Sequence, residues 1–513
     1  MYFGILLAVA IGWALAASAQ PSSLPTNPRR ISLQECLELA LARNLDLQIE
    51  HLSASIARDN LWSSYGAYVP AFSFSARHDE VSQPLQFDPH KANLDFPYDL
   101  RSDKAIIGLD GKVPFGLSYD LNGLAGKREA RTDFNSSTNV ANDYFFGVRN
   151  TNDYFASSGL TLRQHLLKDF WIDQEWLTVL VRRRDLKISQ QLLRFQIMKT
   201  VLAVELAYYE LLASRQRIRV NEQAVELKQQ LVKEMKRRVE VGDLPPLDSE
   251  QAETQFQNAL AALANAHEDF FDRQNALKNL FTDSFEAWAN IDLEPADALE
   301  AVAVEPNRSE SFRKALKDRP DLAEARLIVE RNEVQVHYRL NQLFPSLDLI
   351  GHYGSDAVDP DSTRSAINDA IRFRDPSYFY GASVTLPLSN LAERSNYHAS
   401  KAAKQIAELQ VKKAEQDVLM QVSLWVHRVQ SRFSQVGYTR KARSYAESAL
   451  AVEQKKLQNG LSTTFVVLEL QESVTSARTA EIQALADYNK ALAQLAFSEG
   501  SIMERNKLTL DVK

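Results

Sequence analysis

With 513 residues, 45% hydrophobic and 24% charged, the chain has the composition of a folded protein with a sizeable core, which excludes a disordered polymer. Its formal net charge is −7 without a dense cluster of Lys and Arg, so nucleic acid is excluded as a partner. The single cysteine, Cys36, excludes an internal disulfide and reads as a small packing residue on a helix.

The first element, Tyr2 to Ala19, is almost wholly apolar and closes on Ala17-Ser18-Ala19, a small-x-small site ahead of Gln20. This predicts a signal peptide over residues 1–19, although Met1-Tyr2-Phe3 lacks the usual Lys or Arg; the other reading is an uncleaved membrane anchor. Beyond Ala19 no apolar run approaches the roughly 20 residues of a spanning helix, so any membrane crossing is made of strands.

Ser32 to Tyr65 predicts helix, and Pro70 hands the chain to a strand in which Phe72 and Phe74 alternate with Ser73 and Ser75. The Gly-, Asn- and Asp-rich stretch from Asp79 to Asp153 predicts a long loop with additional strand. Within it Ile106 to Leu121 is strand-like, and three readings stand: a hairpin with Asp110-Gly111 as its turn signal, an extension of a neighbouring strand, or extracellular loop. Next, Tyr154, Ala156, Ser158, Leu160 and Leu162 alternate with Phe155, Ser157, Gly159, Thr161 and Arg163, a strand with one apolar face. Trp171 to Val241 contains no Gly or Pro and runs as one helix of roughly 100 Å. Gly242 breaks it, Pro245-Pro246 stiffens the turn, and Leu247 to Asn290 is helical again.

The same order then returns. Asp321 to Phe344 is helical, Pro345 precedes Leu347 and Leu349, and Tyr378, Tyr380, Ala382, Val384, Leu386 and Leu388 form a second strand with an apolar face. Leu391 to Asn459 contains only Gly437 and forms the second long helix; Gly460 breaks it, and Leu461 to Glu499 runs back. Along the long helices Val418, Val422, Trp425, Val429, Phe433 and Val436 keep coiled-coil spacing.

Aligning the halves exposes a duplication. Ala40-Leu41 meets Ala315-Leu316, Asp46-Leu47 meets Asp321-Leu322 and Pro70 meets Pro345, all at an offset of 275. Tyr154-Phe155 meets Tyr378-Phe379 at an offset of 224, so the first half carries 275 − 224 = 51 extra residues between its strands. The predicted organisation is a first repeat over 20–306 and a second repeat with a C-terminal tail over 307–513.

Strands joined directly to such helices have no compact helical layer to lie on, so their apolar face needs lipid or a second sheet. A strand leaving a helix must cross and return, which predicts two crossing strands per half and four per chain. Four cannot close a barrel, so copies must associate.

Here the chain resembles the TolC-like outer membrane efflux protein family over essentially its whole mature length. The residues carrying the resemblance are Leu39-Ala40-Leu41-Ala42-Arg43-Asn44 with Leu47, their echo from Ala315-Leu316 through Arg319-Pro320-Asp321-Leu322, the helix-to-strand joints Pro70 and Pro345, and Gly460-Leu461-Ser462. Where the family usually has Asn-Pro, Asn44 is followed by Leu45, and Pro320 stands without the Asn.

The resemblance implies an α+β, mostly helical fold: long antiparallel hairpins forming an α-barrel in the periplasm, and four strands per chain in the twelve-stranded outer-membrane β-barrel of a homotrimer. It also implies partners, namely outer-membrane lipid, a periplasmic adaptor (membrane fusion) protein and an inner-membrane pump that supplies the energy. The expected function is the passive exit duct of a tripartite efflux or type I secretion system. The rival is a periplasmic coiled-coil adaptor or structural spacer whose strands form a small soluble sandwich.

The expected periplasmic tips are the turns at Gly242 and Gly460, with Leu461, Thr463 and Thr464 shaping the second. Asp243, Asp248, Glu250 and Glu253 near the first could multiply around a threefold axis into an acidic collar, or simply favour a helix start. In the family, carboxylates on the second tip often form the constriction; the matching residue here is Val466, and Glu469 is the nearest replacement. No zinc-binding His-Glu-x-x-His, phosphate loop or nucleophile elbow is present, so no catalytic residue, metal ligand or cofactor is expected.

Overall fold

Ser32 opens the first helix by accepting a hydrogen bond from Glu35 N at 3.3 Å, and Asn44 separates it from the second. Asn44 is 5% exposed and does two jobs: its Oδ1 accepts from Leu47 N at 3.1 Å, and its Nδ2 donates to the Leu280 carbonyl at 2.8 Å. An Asn in this place thus starts a helix and fastens it to a distant one, with no proline required. In the second half Pro320 at the first helical position, with its pre-set φ, takes over the start.

The computed structural model describes residues 29–84, 86–88, 93–95, 97–133, 147–242 and 245–508, so the predicted signal peptide lies outside the described residues. In chain order β1 (Arg29–Ile31) leads to α1 (Leu33–Arg43), α2 (Leu45–Tyr65) and a 3₁₀ turn. There follow β2 (Ala71–Gln83), the small pair β3 (Gln86–Asp88) and β4 (Asn93–Asp95), then β5 (Tyr98–Val113), β6 (Leu117–Asp133) and β7 (Val148–His165). The first long helix, α3 (Gln174–Glu240), turns into α4 (Pro246–Phe281), followed by α5 (Phe285–Ala289) and β8 (Leu293–Pro295). The second half runs through α6 (Arg308–Asp318), α7 (Pro320–Asn341), β9 (Ser346–Asp359), α8 (Thr363–Ile371) and β10 (Pro376–Thr385). Then come α9 (Leu391–Gln458), α10 (Thr464–Glu499) and α11 (Ile502–Arg505). No helix among the described residues is long and apolar enough to cross a membrane.

Two compact units divide the chain, and each draws on both halves of the sequence. The first takes the segment ending at Leu47, Ile197–Ser311 and the segment from Val422 onward. Its centre is the parallel pair β1–β8, where Ile31 and Leu293 are buried, and Tyr208, which donates to Asp297 Oδ2 at 2.7 Å. The α10 helix packs closely because it supplies small residues, with Ala484, Ala486, Ala491, Ala493 and Ala496 all buried. Cys36 is buried here too; burial pushes its thiol up to about 12, which suits a packing residue.

Lys278 in this unit is fully buried, and its Nζ lacks a hydrogen-bond partner. Burial holds the ammonium below its ordinary value of 10.5, with Asp292 opposing. The unfolded chain therefore binds more protons than the folded one just below that value, so this residue's contribution makes stability rise with pH toward 10.5. Lys278→Met should raise the melting temperature, consistent with removing a penalty of about 1–3 kcal/mol, and flatten that rise. Helical circular dichroism melts from pH 7 to 10 test both effects; an unchanged or lower melting temperature would contradict them.

The second unit, Gln48–Gln196 with Phe312–Gln421, holds the main sheet. Its strand order is β10-β9-β7-β6-β5-β2, antiparallel throughout. Four strands were expected and six are present. The predicted turn at Asp110-Gly111 lies inside β5, paired with Asp120 and Tyr119 of β6. Gly111 is there for space: a Cβ would come within 2.5 Å of the Tyr119 hydroxyl, whose ring lies over it. The reversal comes at Pro114-Phe115-Gly116, with Phe115 at φ 91° and Gly116 at φ 77°. So the strand-like segment in the long insertion is a hairpin that separates β2 from β7.

Candidate functional site

Register assigns every strand residue to one of two faces, because cross-strand partners share a face. One face carries Phe72 and Phe74 of β2, Ile107 and Leu109 of β5, Tyr119 and Leu121 of β6, Leu160 and Leu162 of β7, Leu349 and Tyr353 of β9, and Tyr378 and Tyr380 of β10. Phe72 is 72% and Tyr380 84% exposed, so in one copy of the chain this apolar surface lies largely open. The opposite face carries Ser73, Ser75, Lys104, Asp120, Asn122, Asp348, His352 and Ser383. The alternation read from the sequence is thus one continuous two-faced sheet.

The apolar surface has a definite height. On β5 it runs from Ala105 to Val113, nine residues, the length a tilted strand needs to cross a bilayer. Beyond Ala105 and Ala125 the same face turns polar, with His78 Nδ1 2.7 Å from Asp103 and Arg101 2.9 Å from Glu80.

At that boundary α8 lies on the apolar face, its Ala366 and Ala370 buried against Ala156 and Ala357. Ser362 caps the helix by accepting from Ser365 N at 3.1 Å, while Ile371 remains 64% exposed. This amphipathic helix was missed in the sequence. Its signal was a Ser cap followed by Ala366, Ile367, Ala370 and Ile371 at helical spacing.

At the other end of the sheet Pro70 and Pro345 stand immediately before β2 and β9, and the joints are polar. His165 ends β7 and lies 2.6 Å from Asp348; Lys112 of β5 reaches Glu175 of α3 at 2.5 Å.

The two long hairpins turn within the first unit. Gly242 has φ 84° and Gly460 φ 72°, values that an L side chain rarely adopts. Thr464 is buried and its hydroxyl donates to Met235 Sδ at 3.3 Å, joining the two turns through Leu231, Val232, Met235, Ala252 and Leu468. Thr463 is the N-cap of α10 but makes no side-chain cap bond. Around this small core the tips are apolar: Val241, Leu247, Leu461 and Phe465 are 61–76% exposed. Only Leu461 among these four was singled out from the sequence; apolar residues flanking the glycine breaks were the available signal.

The acidic candidates behave differently from one another. Asp243 lies outside the described residues. Asp248 is half-exposed, and Glu250 and Glu469 are exposed. Glu253 bonds Lys236 at 2.8 Å and Gln257 at 3.0 Å, and these bonds hold its carboxyl below the usual range. Val466 is 36% exposed. Among the described residues no group of His, Cys, Asp or Glu is arranged to hold a metal ion.

Long helical hairpins together with a two-faced antiparallel sheet define a class, the strand-and-coiled-coil proteins. The chain belongs to the outer membrane efflux protein family, whose model matches residues 157–281 and 312–501. It is a transport component rather than an enzyme.

Solved structures share the fold at low identity. The CmeC outer membrane channel of Campylobacter jejuni is 13% identical, with a TM-score of 0.65 over 94% of this chain and 90% of that one. The outer membrane protein VceC of Vibrio cholerae is 16% identical, with a TM-score of 0.64 over 91% and 96%. The MtrE outer membrane channel of Neisseria gonorrhoeae, described in its open state, is 16% identical, with a TM-score of 0.62 over 93% and 91%. Comparison with curated proteins finds no match.

Proposed function

We propose that the chain is one subunit of a homotrimeric outer-membrane duct, the passive exit of a tripartite efflux or type I secretion system. The observation that carries this reading is the apolar face that continues across all six strands of a sheet with two open edges. Such a face finds a partner in lipid, and open edges in lipid leave backbone groups unpaired until copies join and the sheet closes. The polar face then lines the water-filled lumen. The α8 helix rides the outer rim as an interfacial element, its apolar side toward acyl chains.

The long hairpins form the periplasmic α-barrel, and the two repeats, 20–306 and 307–513, supply alternate hairpins of its wall. Their apolar tips receive the adaptor, through which the inner-membrane pump is reached. Gly242 and Gly460 make the reversals that bring these tips to a point, and Thr464 ties one to the other. Asp248, Glu250 and Glu469, with Asp243, are the acids available to a cation-favouring entrance, whereas Glu253 is occupied by Lys236.

Membrane fractionation, followed by mass determination of the detergent-solubilised species without boiling, tests the reading. The expected result is a trimer in the outer membrane. A monomer soluble without detergent would replace it with the coiled-coil adaptor or spacer.

A further inference from the structure

We infer that three copies of this chain close a barrel of eighteen strands, not the twelve that the sequence-level expectation of four strands per chain implies. The inference rests on the trimeric duct proposed above and concerns how its wall is built. Six strands per chain, taken three times, give eighteen.

The β5–β6 hairpin carries the case, because it has every mark of wall and none of loop. It is paired on both sides, over thirteen of the sixteen residues of β5 and all of β6: β2 pairs with β5 from Ala71↔Asp110 to Gln83↔Tyr98, and β6 pairs with β7 from Leu117↔Gln164 to Asp133↔Val148. Without the hairpin, β2 and β7 would be neighbours; with it, two strand positions separate them. Its outward residues Ala105, Ile107, Leu109 and Val113, matched by Leu117, Tyr119, Leu121 and Ala125, form a complete bilayer-high apolar band. Its inward residues include Asp110, Lys112, Ser118, Asp120 and Asn122, which suit a water-filled lumen. A hairpin lying over the barrel as a loop would need neither band.

Connection lengths agree. The β5–β6 reversal takes three residues at the end of the sheet where β7 leads to α3, while the β2–β5 and β6–β7 connections at the opposite end are long. Short turns on the periplasmic side and long ones outside are the rule for membrane barrels. The turn is also anchored: Gln164 Nε2 donates to the Phe115 carbonyl at 2.8 Å, and His165 N donates to the Gly116 carbonyl at 3.0 Å.

The remaining edges are β2 and β10, with 13 and 10 residues, each exposed along almost its whole length. Neither has a proline in its interior to block pairing. The occupant of each edge is a second copy of this chain, β2 of one against β10 of the next. Barrel diameter grows roughly linearly with strand number, so the mouth is about one and a half times as wide as a twelve-stranded one.

Cysteine pairs introduced into a Cys36→Ala background and oxidised in outer membranes give the test. Ser75, Ile106, Leu124 and Ser157 lie in one row across β2, β5, β6 and β7. The eighteen-stranded wall predicts disulfides for Ser75→Cys with Ile106→Cys and for Leu124→Cys with Ser157→Cys. It predicts none for Ser75→Cys with Ser157→Cys, which lie three strand spacings apart, roughly 14 Å. It also predicts covalent trimers from pairing Ser73→Cys with Ser383→Cys or Thr385→Cys. A disulfide between positions 75 and 157 in a protein still extracted as a trimer would overturn the strand count and leave the duct reading standing. A protein that is no outer-membrane trimer at all would overturn both.

Discussion

Leu160→Arg is expected to remove the protein from the outer membrane. Leu160 lies in the middle of the apolar band on β7, between Leu121 of β6 and Tyr353 of β9, and is 39% exposed in the single chain. An arginine on the lipid face near the bilayer midplane costs about 2–4 kcal/mol, and a trimer bears that cost three times. The control is Ser157→Arg, three residues away on the opposite face and paired with Asp356, where a cation gains a carboxylate in a wet lumen. The control should assemble at near wild-type level, whereas the Leu160 variant should be degraded or retained in the periplasm. Outer-membrane fractionation with unboiled electrophoresis reads both. Equal trimer from the two variants would mean that the apolar face meets something other than lipid.

The second large effect is expected at the tips. Leu461→Asp combined with Phe465→Asp should abolish efflux or export while leaving the outer-membrane trimer intact. Both side chains are largely exposed, 76% and 65%, so their loss removes little from the fold. Burying a large apolar side chain contributes about 1.5–3 kcal/mol, so losing two weakens docking by at least about a hundredfold. Introducing two carboxylates adds a desolvation penalty to that loss. Thr464→Ala is a useful contrast, since it cuts the contact to Met235 within the tip core and acts through stability instead. Full export by the double variant, with trimer present, would move the adaptor contact away from these tips.

Much of this architecture was legible in one dimension. Long stretches without Gly or Pro marked the helices: Trp171 to Val241 became α3 with only the ends trimmed, and Leu391 to Asn459 became α9. Alternation placed Leu160 and Tyr378 on one face, because strand periodicity depends on nothing beyond the backbone. The glycines at 242 and 460 marked the reversals, and their positive φ shows why.

The failures have physical causes as well. Asp110-Gly111 looked like a turn because the dipeptide suits one, yet Gly111 answers to the ring of Tyr119 on a neighbouring strand, a contact invisible along the chain. The α8 helix was overlooked because nine residues give too little periodicity to stand out from a loop.

The sequence by itself determined the local choices, which depend on neighbours a few residues away: where helices run, where they break, and which strand residues are apolar. Only the tertiary structure decided the number and order of strands, since a strand becomes part of a wall through hydrogen bonds to residues far along the chain. Those bonds set β5 and β6 between β2 and β7. They also show that, within an insertion resembling a surface loop, β5 and β6 pair with strands on both sides and carry their own apolar band.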